Sequence, residues 1–343
     1  MGKKRIERII IALVVVAAAA GLTYWINGRN APPGSAASGR REIPADERIL
    51  VKIPTIQGGG PALIAKVKGY FEEQNLEIEE IGQVPSGNQI QSVITGDIDF
   101  TLGNHTDREI EAIAKGIPVK VVLAQSETTE DMPHMRWMVP KDSDIHGPRD
   151  LIGKKIAMSY ITGGCPVTNL RQYLKGGNVN LKEVQMVQMA DGLQAAALNE
   201  GLVDVITIHA PVSGVVREQL GLRTLFSDFD TFQGRAGNNM ATSQKIIDGN
   251  PEKVRRFVAA IVKAQAWIND NHDEADRLYA EYLKLNPEHV PLFDRTHYSR
   301  DGLEYNERVQ LWIDELVTLG EIKPGQFKAE DIYTNEFNPN YRK

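Results

Sequence analysis

Two stretches of this chain, 105 residues apart, carry the same pattern of glycines and apolar residues. The segment QVPSGNQIQSVITGDIDF at residues 83–100 aligns without a gap with QMADGLQAAALNEGLVDV at residues 188–205. The identical pairs are Gln83 and Gln188, Gly87 and Gly192, Gln89 and Gln194, Gly96 and Gly201, and Asp99 and Asp204. In both copies a glycine precedes a short helical pattern, a second glycine closes it, and an apolar strand follows. A chain with the same helix–strand unit in two places is predicted to fold into two similar lobes.

The order of strands and helices around these copies predicts an α/β fold. Strand and helix patterns alternate between residues 48 and 126, and a second series begins at GKKIAMS, residues 153–159. Such alternation is typical of open, mainly parallel sheets flanked by helices. The segments after residue 243 are helical and have no strands of their own, so we expect them to pack on the first lobe. The predicted lobes are residues 48–140 with 240–343 for lobe 1, and residues 141–239 for lobe 2.

The N-terminal segment is hydrophobic and comes after a basic run. Residues 9–26, IIIALVVVAAAAGLTYWI, carry no charge and come after KKRIER. We therefore predict one transmembrane or signal helix within residues 1–29, and its length favours an uncleaved anchor over a cleaved signal. A cleavage site at SAAS, residues 35–38, is the alternative. Residues 30–47 are predicted to form a flexible linker, and the body is expected in the periplasm or at the outer face of the cytoplasmic membrane.

Charge and cysteine content restrict the possible functions. After residue 29 the chain has 34 basic and 44 acidic residues, so no nucleic-acid partner is predicted. The single cysteine, Cys165, excludes a disulfide within the chain. A cysteine nucleophile would need a histidine such as His209 beside it, and the spacing of Cys165, His105 and His209 fits no compact metal motif. We therefore predict no catalytic residue, no metal and no cofactor.

Several loops are predicted to meet at the carboxyl ends of the strands. A ligand of an open parallel sheet lies there, and the exposed N–H groups of helix N-termini favour anions. The apolar strand pattern at residues 96–105, GDIDFTLGNH, ends in polar side chains, which is expected if these face a cleft. The predicted ligand-binding residues are Gln57, Gly58, Gly59, Gly103, Asn104, His105, Thr162, Gly163, Gly164, Cys165, His209 and Asn238.

Each kind of candidate also has a purely structural interpretation. The glycines at 58–60 can form a tight turn, and Asn104 can cap the helix after it. His209 can be a buried, hydrogen-bonded core residue. Cys165 can be a small packing residue, and Asn238 can belong to an ordinary loop. The sequence leaves these alternatives open.

Four segments together carry a resemblance to a known family. They are IPTIQGGGPALIAKVKGYFEEQNLEIEEI, PSGNQIQSVITGDIDFTLGN, DLIGKKIAM with TGGCPVTNLRQYL, and VQMADGLQAAALNEGLVDV. In this order they resemble the substrate-binding proteins of ABC importers for nitrate, taurine and aliphatic sulfonates, and also the branch that binds thiamine precursors. The resemblance implies a type II periplasmic-binding-protein fold whose lobes close around a small anionic solute without catalysis. It also implies solute contacts at Gln57 to Gly59, Gly103 to His105, Thr162 to Cys165 and His209.

The chain departs from that family at two of these places. Gly163-Gly164-Cys165-Pro166 stands where hydroxyl-bearing residues are usual, and His209 stands where an aromatic or acidic residue is common. These departures leave the identity of the solute open. The implied partners are the solute, an ABC permease in the cytoplasmic membrane and the membrane itself through the N-terminal helix, and we expect a monomer.

Two other functions remain as alternatives. One is an enzyme that resembles the pyrimidine synthases of thiamine biosynthesis, although those carry a cysteine-rich cluster and this chain has one cysteine. The predicted export segment also disfavours it. The other is a tethered solute sensor that reports to a membrane receptor.

Overall fold

The computed structural model describes residues 47–56, 60–161, 164–233 and 237–342. The predicted N-terminal helix within residues 1–29 lies outside this part of the chain, as does the predicted linker apart from Glu47. Within the described ranges, no helix combines the length and the hydropathy needed to cross a membrane.

Strands and helices alternate over most of the described chain. The strands are β1 (Ile49–Ile53), β2 (Leu76–Glu80), β3 (Asn104–His105), β4 (Val119–Ala124), β5 (Ser126–Glu127), β6 (Met135–Pro140), β7 (Lys155–Met158), β8 (Gln185–Gln188), β9 (Val205–His209), β10 (Leu222–Ser227), β11 (Asn238–Ser243) and β12 (His297–Tyr298). The α-helices are α1 (Pro61–Val67), α2 (Tyr70–Glu73), α3 (Ser86–Thr95), α4 (Thr106–Ala114), α5 (Gly164–Gly176), α6 (Asp191–Asn199), α7 (Val212–Leu220), α8 (Asp228–Phe232), α9 (Gln244–Gly249), α10 (Pro251–Asp270), α11 (His272–Tyr282) and α12 (Asn306–Leu319).

The strands fall into two groups. The second strand group, β6 to β10, forms one five-stranded sheet in the order β10-β6-β9-β7-β8. The first strand group comprises β1 to β5, β11 and β12, and forms the sheets β1-β2, β3-β11-β4 and β12-β5. The chain passes from the first group to the second at residues 128–134 and returns at residues 228–237. β6, which the sequence analysis assigned to lobe 1, pairs with β9 and β10 of the second group.

The sheets are mixed: four strands of the five-stranded sheet run in one direction, as a mainly parallel sheet requires, and β6 runs against them. Parallel pairs join β1 to β2, β7 to β8 and β7 to β9. Every pair that includes β6 or β11 is antiparallel, and so is the pair β12-β5. Parallel neighbours are usually joined by a helical crossover within one sheet. β6 and β11 instead enter their sheets directly from the other strand group, and they run against their neighbours.

Both faces of the five-stranded sheet are covered. Along β6, Met135, Trp137 and Val139 belong to one apolar cluster, whereas Met138 belongs to another. Successive side chains of a strand point to opposite faces, which explains this division. All four side chains are fully buried. The sheet therefore separates two apolar cores.

The long helix α10 packs into the core of the first strand group. Asn250 caps it, because its side chain accepts a hydrogen bond from the backbone N–H of Lys253 at 2.9 Å. One apolar stripe of the helix is buried, and it comprises Val254, Phe257, Val258, Ile261 and Ile268. Phe257 stacks on Phe100 with ring centroids 4.0 Å apart. This helix thus joins the C-terminal part of the chain to β1 and α1 in one apolar cluster.

The repeated glutamine has the same role in both copies. Gln89 in α3 accepts a hydrogen bond at Oε1 from the backbone N–H of Leu102 at 2.8 Å. Gln194 in α6 accepts one from the N–H of Thr207, also at 2.8 Å. Leu102 and Thr207 are themselves 105 residues apart. Each buried glutamine ties its helix to the segment after it, so this identity is structural.

The repeated aspartate is structural as well. Asp99 accepts a hydrogen bond from the N–H of Lys52 at 2.8 Å, and Asp204 accepts one from the N–H of Lys155 at 2.8 Å. The copies differ beyond this aspartate, because the second continues into β9 whereas the first forms a strand only at β3. The expected strand over residues 96–105 is therefore wrong for all but its last two residues. The backbone N–H of Thr101 bonds to the carbonyl of Ala241, so this buried segment still runs beside β11.

A buried carboxylate joins the two strand groups outside the sheets. Asp294 comes after the 3₁₀ helix Pro287–Leu292 and is 9% exposed. It accepts hydrogen bonds from Arg136 at 2.8 Å, from Ser213 at 2.8 Å and from both terminal nitrogens of Arg217 at 2.7 and 2.9 Å. Asp294 lies beside the apolar cluster of the first group, whereas its three partners lie in β6 and α7. This network therefore bridges the two groups.

Candidate functional site

Two adjoining cavities are lined from both strand groups. The first cavity has a volume of about 440 Å³ and the second about 290 Å³, and Gly60 and Gln125 line both. Tyr160 contributes to the first cavity from the second strand group. Asp191 and His209 contribute to the second cavity from the same group. The cavities therefore lie where the two groups meet.

Gln125 and Asn238 are held at the cavity wall by the strands that cross between the groups. The backbone N–H of Gln125 bonds to the carbonyl of Asn238 at 2.8 Å, and the N–H of Asn238 bonds to Oγ of Ser126 at 3.0 Å. A Cβ atom at Gly237 would lie 2.0 Å from the carbonyl oxygen of Ser126. Only glycine permits this close approach, so the chain fixes the position of Asn238 through its neighbour. The side-chain nitrogen of Asn238 lies 3.4 Å from Nε2 of His134.

His209 ends β9 and is paired with Asp191 at the start of α6. Its Nδ1 lies 3.0 Å from Oδ2 of Asp191. Burial opposes the charged imidazole, but the hydrogen bond and charge of Asp191, with a further contribution from Asp228, raise the pKa of His209 above its ordinary value. The ring of His134 lies edge-on to that of His209, with centroids 5.1 Å apart.

His134 and His105 are kept neutral by their surroundings. Burial lowers the pKa of His105 to about 3, with smaller contributions from His209 and Arg108. Burial also holds the pKa of His134 well below its ordinary value, again with His209 contributing. Nδ1 of each ring is buried and has no hydrogen-bond partner within the described residues. His105 lies opposite Asn238 in the β3–β11 ladder, which brings both histidines to the same region.

Asp228 ties together the two segments that connect the strand groups. It accepts hydrogen bonds from the hydroxyl of Thr128 at 2.7 Å and from the backbone N–H of Met135 at 3.2 Å. Burial raises the pKa of Asp228 to about 6, against the lowering effect of these hydrogen bonds and of His209. Thr128 belongs to the first connecting segment and Asp228 to the second. The carboxylate therefore fixes the two connections relative to each other.

Five of the predicted ligand-binding residues lie outside the described part of the chain. They are Gln57, Gly58, Gly59, Thr162 and Gly163. Their contact with a solute stays a prediction. Gly60, at the end of the first of these loops, precedes α1 in an extended conformation, and Pro61 is the first residue of that helix, a position that suits proline.

Asn104 points into the protein. It is 3% exposed, and its side-chain nitrogen donates to Glu109 at 2.6 Å. Asn239 donates to the other carboxylate oxygen of Glu109 at 3.3 Å. The residue that precedes α4 is His105, and no side chain caps this helix. The structure therefore gives Asn104 a buried partner, and it is neither a helix cap nor a lining residue of the two cavities.

Gly164 and Cys165 begin α5. Gly164 has a φ of +76°, and a Cβ atom there would lie 3.4 Å from the guanidinium of Arg108. Cys165 is 3% exposed within the apolar cluster of the second strand group, and the amide nitrogen of Asn169 lies 3.0 Å from its sulfur. Burial, with Asp228 and Asp107 nearby, raises the pKa of the Cys165 thiol well above its ordinary value. The interpretation of Cys165 as a packing residue agrees with this position.

The remaining predicted residues come together around the second cavity. Asn238 and His209 line it, and His105 pairs with Asn238 along the backbone. Gly103 has a φ of +77°, and a Cβ atom there would lie 3.2 Å from Oε1 of Gln125. A side chain at this position would crowd the glutamine amide.

Three site residues were not among the predicted ones. Gln125 comes directly after the apolar strand β4, which is the same signal that identified Asn104 and His209, and could have been found. Asp191 is the first residue of the second repeated helix, and the repeat marks that helix start without indicating the direction of the side chain. His134 lies in an irregular segment before β6, where no periodic pattern indicates the direction of its side chain.

Among the described residues no group of three or more histidine, cysteine, aspartate or glutamate side chains could hold a metal ion. The arrangement instead offers amide, imidazole and backbone groups beside a cavity. Such groups bind a small molecule by hydrogen bonds.

Solved structures share this architecture. The periplasmic aliphatic sulphonate binding protein SsuA from Escherichia coli superposes with a TM-score of 0.67 at 18% identity, over 85% of this chain and 92% of that chain. The periplasmic nitrate-binding protein NrtA from Synechocystis PCC 6803 gives a TM-score of 0.68 at 14% identity, over 86% of this chain and 88% of that chain. At these identities the likeness concerns the fold, which is the α/β fold of periplasmic binding proteins.

Sequence relatives have diverse names. A Bacillus subtilis (strain 168) protein assigned to aliphatic sulfonate binding is 26% identical, over 69% of this chain and 70% of that protein. The riboflavin-binding protein RibY from Chloroflexus aurantiacus is 25% identical, over 84% of each chain. The 4-amino-5-hydroxymethyl-2-methylpyrimidine phosphate synthase from Legionella pneumophila is 23% identical, over 81% of this chain and 88% of that protein.

The family model described as NMT1/THI5 like matches residues 59–275, which is more than half of the chain. The resemblance expected from the four sequence segments is confirmed, since sulfonate- and nitrate-binding proteins are among the similar proteins. The chain belongs to the NMT1/THI5-like family.

Proposed function

We propose that this protein is an extracytoplasmic solute-binding protein of an ABC importer. The observation that carries the proposal is the pair of adjoining cavities that residues of both strand groups line. Cavities of this kind, with a few polar side chains in an otherwise mixed wall, are the usual binding sites of small molecules. The names of the Bacillus subtilis and Chloroflexus aurantiacus relatives support binding as the activity.

The proposed lobes correspond to the strand groups. Lobe 1 comprises residues 48–127 and 238–342, and lobe 2 comprises residues 135–227, so β6 moves from the first lobe to the second. The two connecting segments, 128–134 and 228–237, are the proposed hinge. A solute favours the closed state only through contacts that the open state lacks. Gln125 of lobe 1 and His209 of lobe 2 both line the second cavity. A solute in this cavity therefore contacts both lobes and favours their closure.

The proposed setting rests on the same family. The protein acts in the periplasm or at the outer face of the cytoplasmic membrane, delivers its solute to an ABC permease and works as a monomer. Residues 9–26 tether it unless they are cleaved. The predicted anionic solute of the nitrate, sulfonate or taurine kind stays a prediction.

Catalysis is the second candidate because one relative is a pyrimidine phosphate synthase. We favour binding because Cys165, the single cysteine of the chain, is buried and its thiol pKa is raised. A thiol acts as a nucleophile in its deprotonated form. Mass spectrometry after incubation with candidate solutes separates the two functions: a binding protein returns both solute and protein unchanged, whereas a covalent change in either would favour the enzyme.

The binding function is tested by thermal denaturation in the presence of candidate solutes. A ligand at 100 times its dissociation constant adds about 2.7 kcal/mol to the free energy of unfolding, which should raise the melting temperature by several degrees. Asn238→Ala should weaken the effect of a stabilising solute at least tenfold in apparent affinity. Asn199→Ala is the matched control, because Asn199 is exposed at the end of α6 and lines neither cavity. Equal affinity of both variants for the solute would contradict the proposed site.

A further inference from the structure

The segment around Asp294 brings lobe 1 into backbone contact with α7 of lobe 2. The backbone N–H of Asp294 donates to the carbonyl of Pro211 at 3.0 Å. A Cβ atom at Gly214 would lie 2.1 Å from the carbonyl oxygen of Leu292 and 2.9 Å from the backbone nitrogen of Asp294. Only glycine permits so close an approach. The two lobes therefore touch here along their main chains.

Apolar side chains belong to the same contact. Val215 is 7% exposed and is part of the apolar cluster of lobe 1 that contains Phe293 and Tyr279. Its neighbour Val216 packs against an apolar cluster of lobe 2. α7 is thus covered partly by its own lobe and partly by lobe 1. Separation of the lobes would expose Val215 to water, which costs free energy in proportion to the apolar area.

The carboxylate of Asp294 supplies the polar part of the contact. Oδ2 accepts hydrogen bonds from Arg136, Ser213 and Arg217, and Oδ1 accepts a second one from Arg217. Two parallel bonds from one guanidinium are a strong arrangement. Burial opposes ionisation, yet the hydrogen bond of Arg217 and the charge of Arg136 lower the pKa of Asp294 below its ordinary value. The ionised carboxylate is therefore more stable in this contact than in water.

Every partner in this contact belongs to the chain itself. The contact therefore forms with or without a solute in the cavity. It involves β6, α7 and the segment after the 3₁₀ helix, all outside the connecting segments 128–134 and 228–237. Asp294 also lines the second cavity. A movement of the lobes that widens this cavity would have to break the contact at its wall.

Building on the proposed hinge, we propose that residues 292–294 of lobe 1 form a clasp with Arg136 and residues 211–217 of lobe 2, and that this clasp keeps the lobes closed when no solute is bound. The solute then enters during a transient opening. Its own contacts add to a closed state that the clasp already favours.

Two equivalent positions of the internal repeat can report the opening. Asn88 lies in α3 and Leu193 in α6, 105 residues apart, and both side chains are exposed. α3 begins at the wall of the first cavity and α6 at the wall of the second. Cys165 is 3% exposed, so spin labels attach to the new cysteines of an Asn88→Cys, Leu193→Cys protein. Pulsed electron paramagnetic resonance without solute should give one narrow distribution of label distances.

Two further substitutions in the labelled protein weaken the clasp by different routes. Asp294→Asn removes the charge and keeps the shape, and Gly214→Ala places a methyl group against the facing backbone. Each should shift the main distance to longer values. Asp270→Asn disrupts an exposed ion pair, and Gly249→Ala adds a methyl group with nothing within 4 Å. Neither control should change the distance.

The outcomes separate the clasp from the binding function. A long main distance in the solute-free protein, which a stabilising solute then shortens, would overturn the clasp and leave the binding protein standing. Unchanged distances in the folded Asp294→Asn and Gly214→Ala proteins would overturn it as well. If either variant does not unfold cooperatively, Arg217→Gln takes its place, because that side chain is 31% exposed. Failure of the binding function would appear instead as the absence of thermal stabilisation by any solute.

Discussion

Glu109 is a buried acid that two asparagines hold in place. Asn104 and Asn239 face each other across the β3–β11 ladder and donate to the two oxygens of its carboxylate. Glu109 is fully buried, and burial raises its pKa to about 8 against the lowering effect of these bonds. The sequence suggested Asn104 as a ligand contact. The side chain serves instead to satisfy this carboxyl beside the hinge.

The raised pKa of Glu109 makes stability depend on pH. Between its ordinary pKa of 4.5 and about 8 the folded protein binds the proton more tightly than the unfolded chain does, so stability falls as pH rises through this range. Glu109→Gln removes the ionisable group and keeps the size of the side chain. It should be more stable than the wild type at pH 8.5, by on the order of a few kcal/mol, and similar to it at pH 5.

Urea unfolding from pH 5 to pH 9 measures this dependence. Asn239, whose side-chain oxygen has no partner in the described residues, can rotate to accept from the new amide. The raised pKa of Glu109 would be contradicted if the wild type became more stable between pH 5 and pH 8 and if the wild type and Glu109→Gln were equally stable at pH 8.5.

At the scale of elements, the two connecting segments hold the site together. They are joined by the hydrogen bonds of Asp228 to Thr128 and Met135, and β11 is joined to residue 125 by a backbone bond. Gln125, His134 and Asn238 all belong to these segments or border them. The polar site is therefore built on the connections between the strand groups and not only on the loops that enter helices.

A substitution at Gly237 tests whether the connecting segments hold the site in place. A side chain there would collide with the carbonyl oxygen of Ser126 at 2.0 Å and with the guanidinium of Arg308 at 2.6 Å. Gly237→Ala should destabilise the protein by about 2 kcal/mol or more, because backbone must move to accommodate the methyl group. Gly249→Ala is the matched control, since nothing lies within 4 Å of its Cβ position. Chemical denaturation that gives both variants the same stability would show that the close approach does not matter.

The internal repeat explains how much of these elements the sequence could predict. Gln89 and Asp99 bind backbone groups within or near their own unit, so their roles recur 105 residues later in Gln194 and Asp204. The direction of Asn104 depends instead on the pairing of β3 with β11, more than 130 residues away. No local pattern contains that information, so the sequence could not predict the direction of this side chain.

At the scale of the whole molecule, buried carboxylates bridge the strand groups on more than one side. Asp294 binds Arg136 and Arg217. Glu315 in α12 forms an ion pair with Arg171 at 2.9 Å and accepts a hydrogen bond from Gln172 at 2.6 Å. The partners of the two carboxylates, Arg136 and Arg217 for Asp294 and Arg171 and Gln172 for Glu315, all belong to the second strand group or its helices. These contacts fix the relative position of the groups in this conformation.

Removal of the Asp294 carboxylate should lower the free energy of unfolding. Asp294→Ala leaves Arg136, whose side chain is 16% exposed, without its ion-pair partner, and the loss should be about 3 kcal/mol or more at neutral pH. Burial opposes ionisation, but Arg217, Arg136 and Ser213 lower the pKa of Asp294 below 3.8. The contribution is therefore present above pH 3.8 and is lost as pH falls through the lowered pKa.

Denaturant unfolding at pH 7 and at progressively lower pH measures this contribution. Asp270→Ala is the control, because Asp270 and its partner Arg300 are each 57% exposed, and exposed pairs contribute little. Similar effects of both substitutions at pH 7 would show that the bridging network adds no stability.

The central claim is that the second cavity binds a solute between two lobes. The most direct measurement is a crystal structure of the protein with the probe that most raises its melting temperature. The account predicts solute density in the second cavity, beside Gln125 and Asn238 and in contact with residues of both strand groups. Density that lies elsewhere would contradict it.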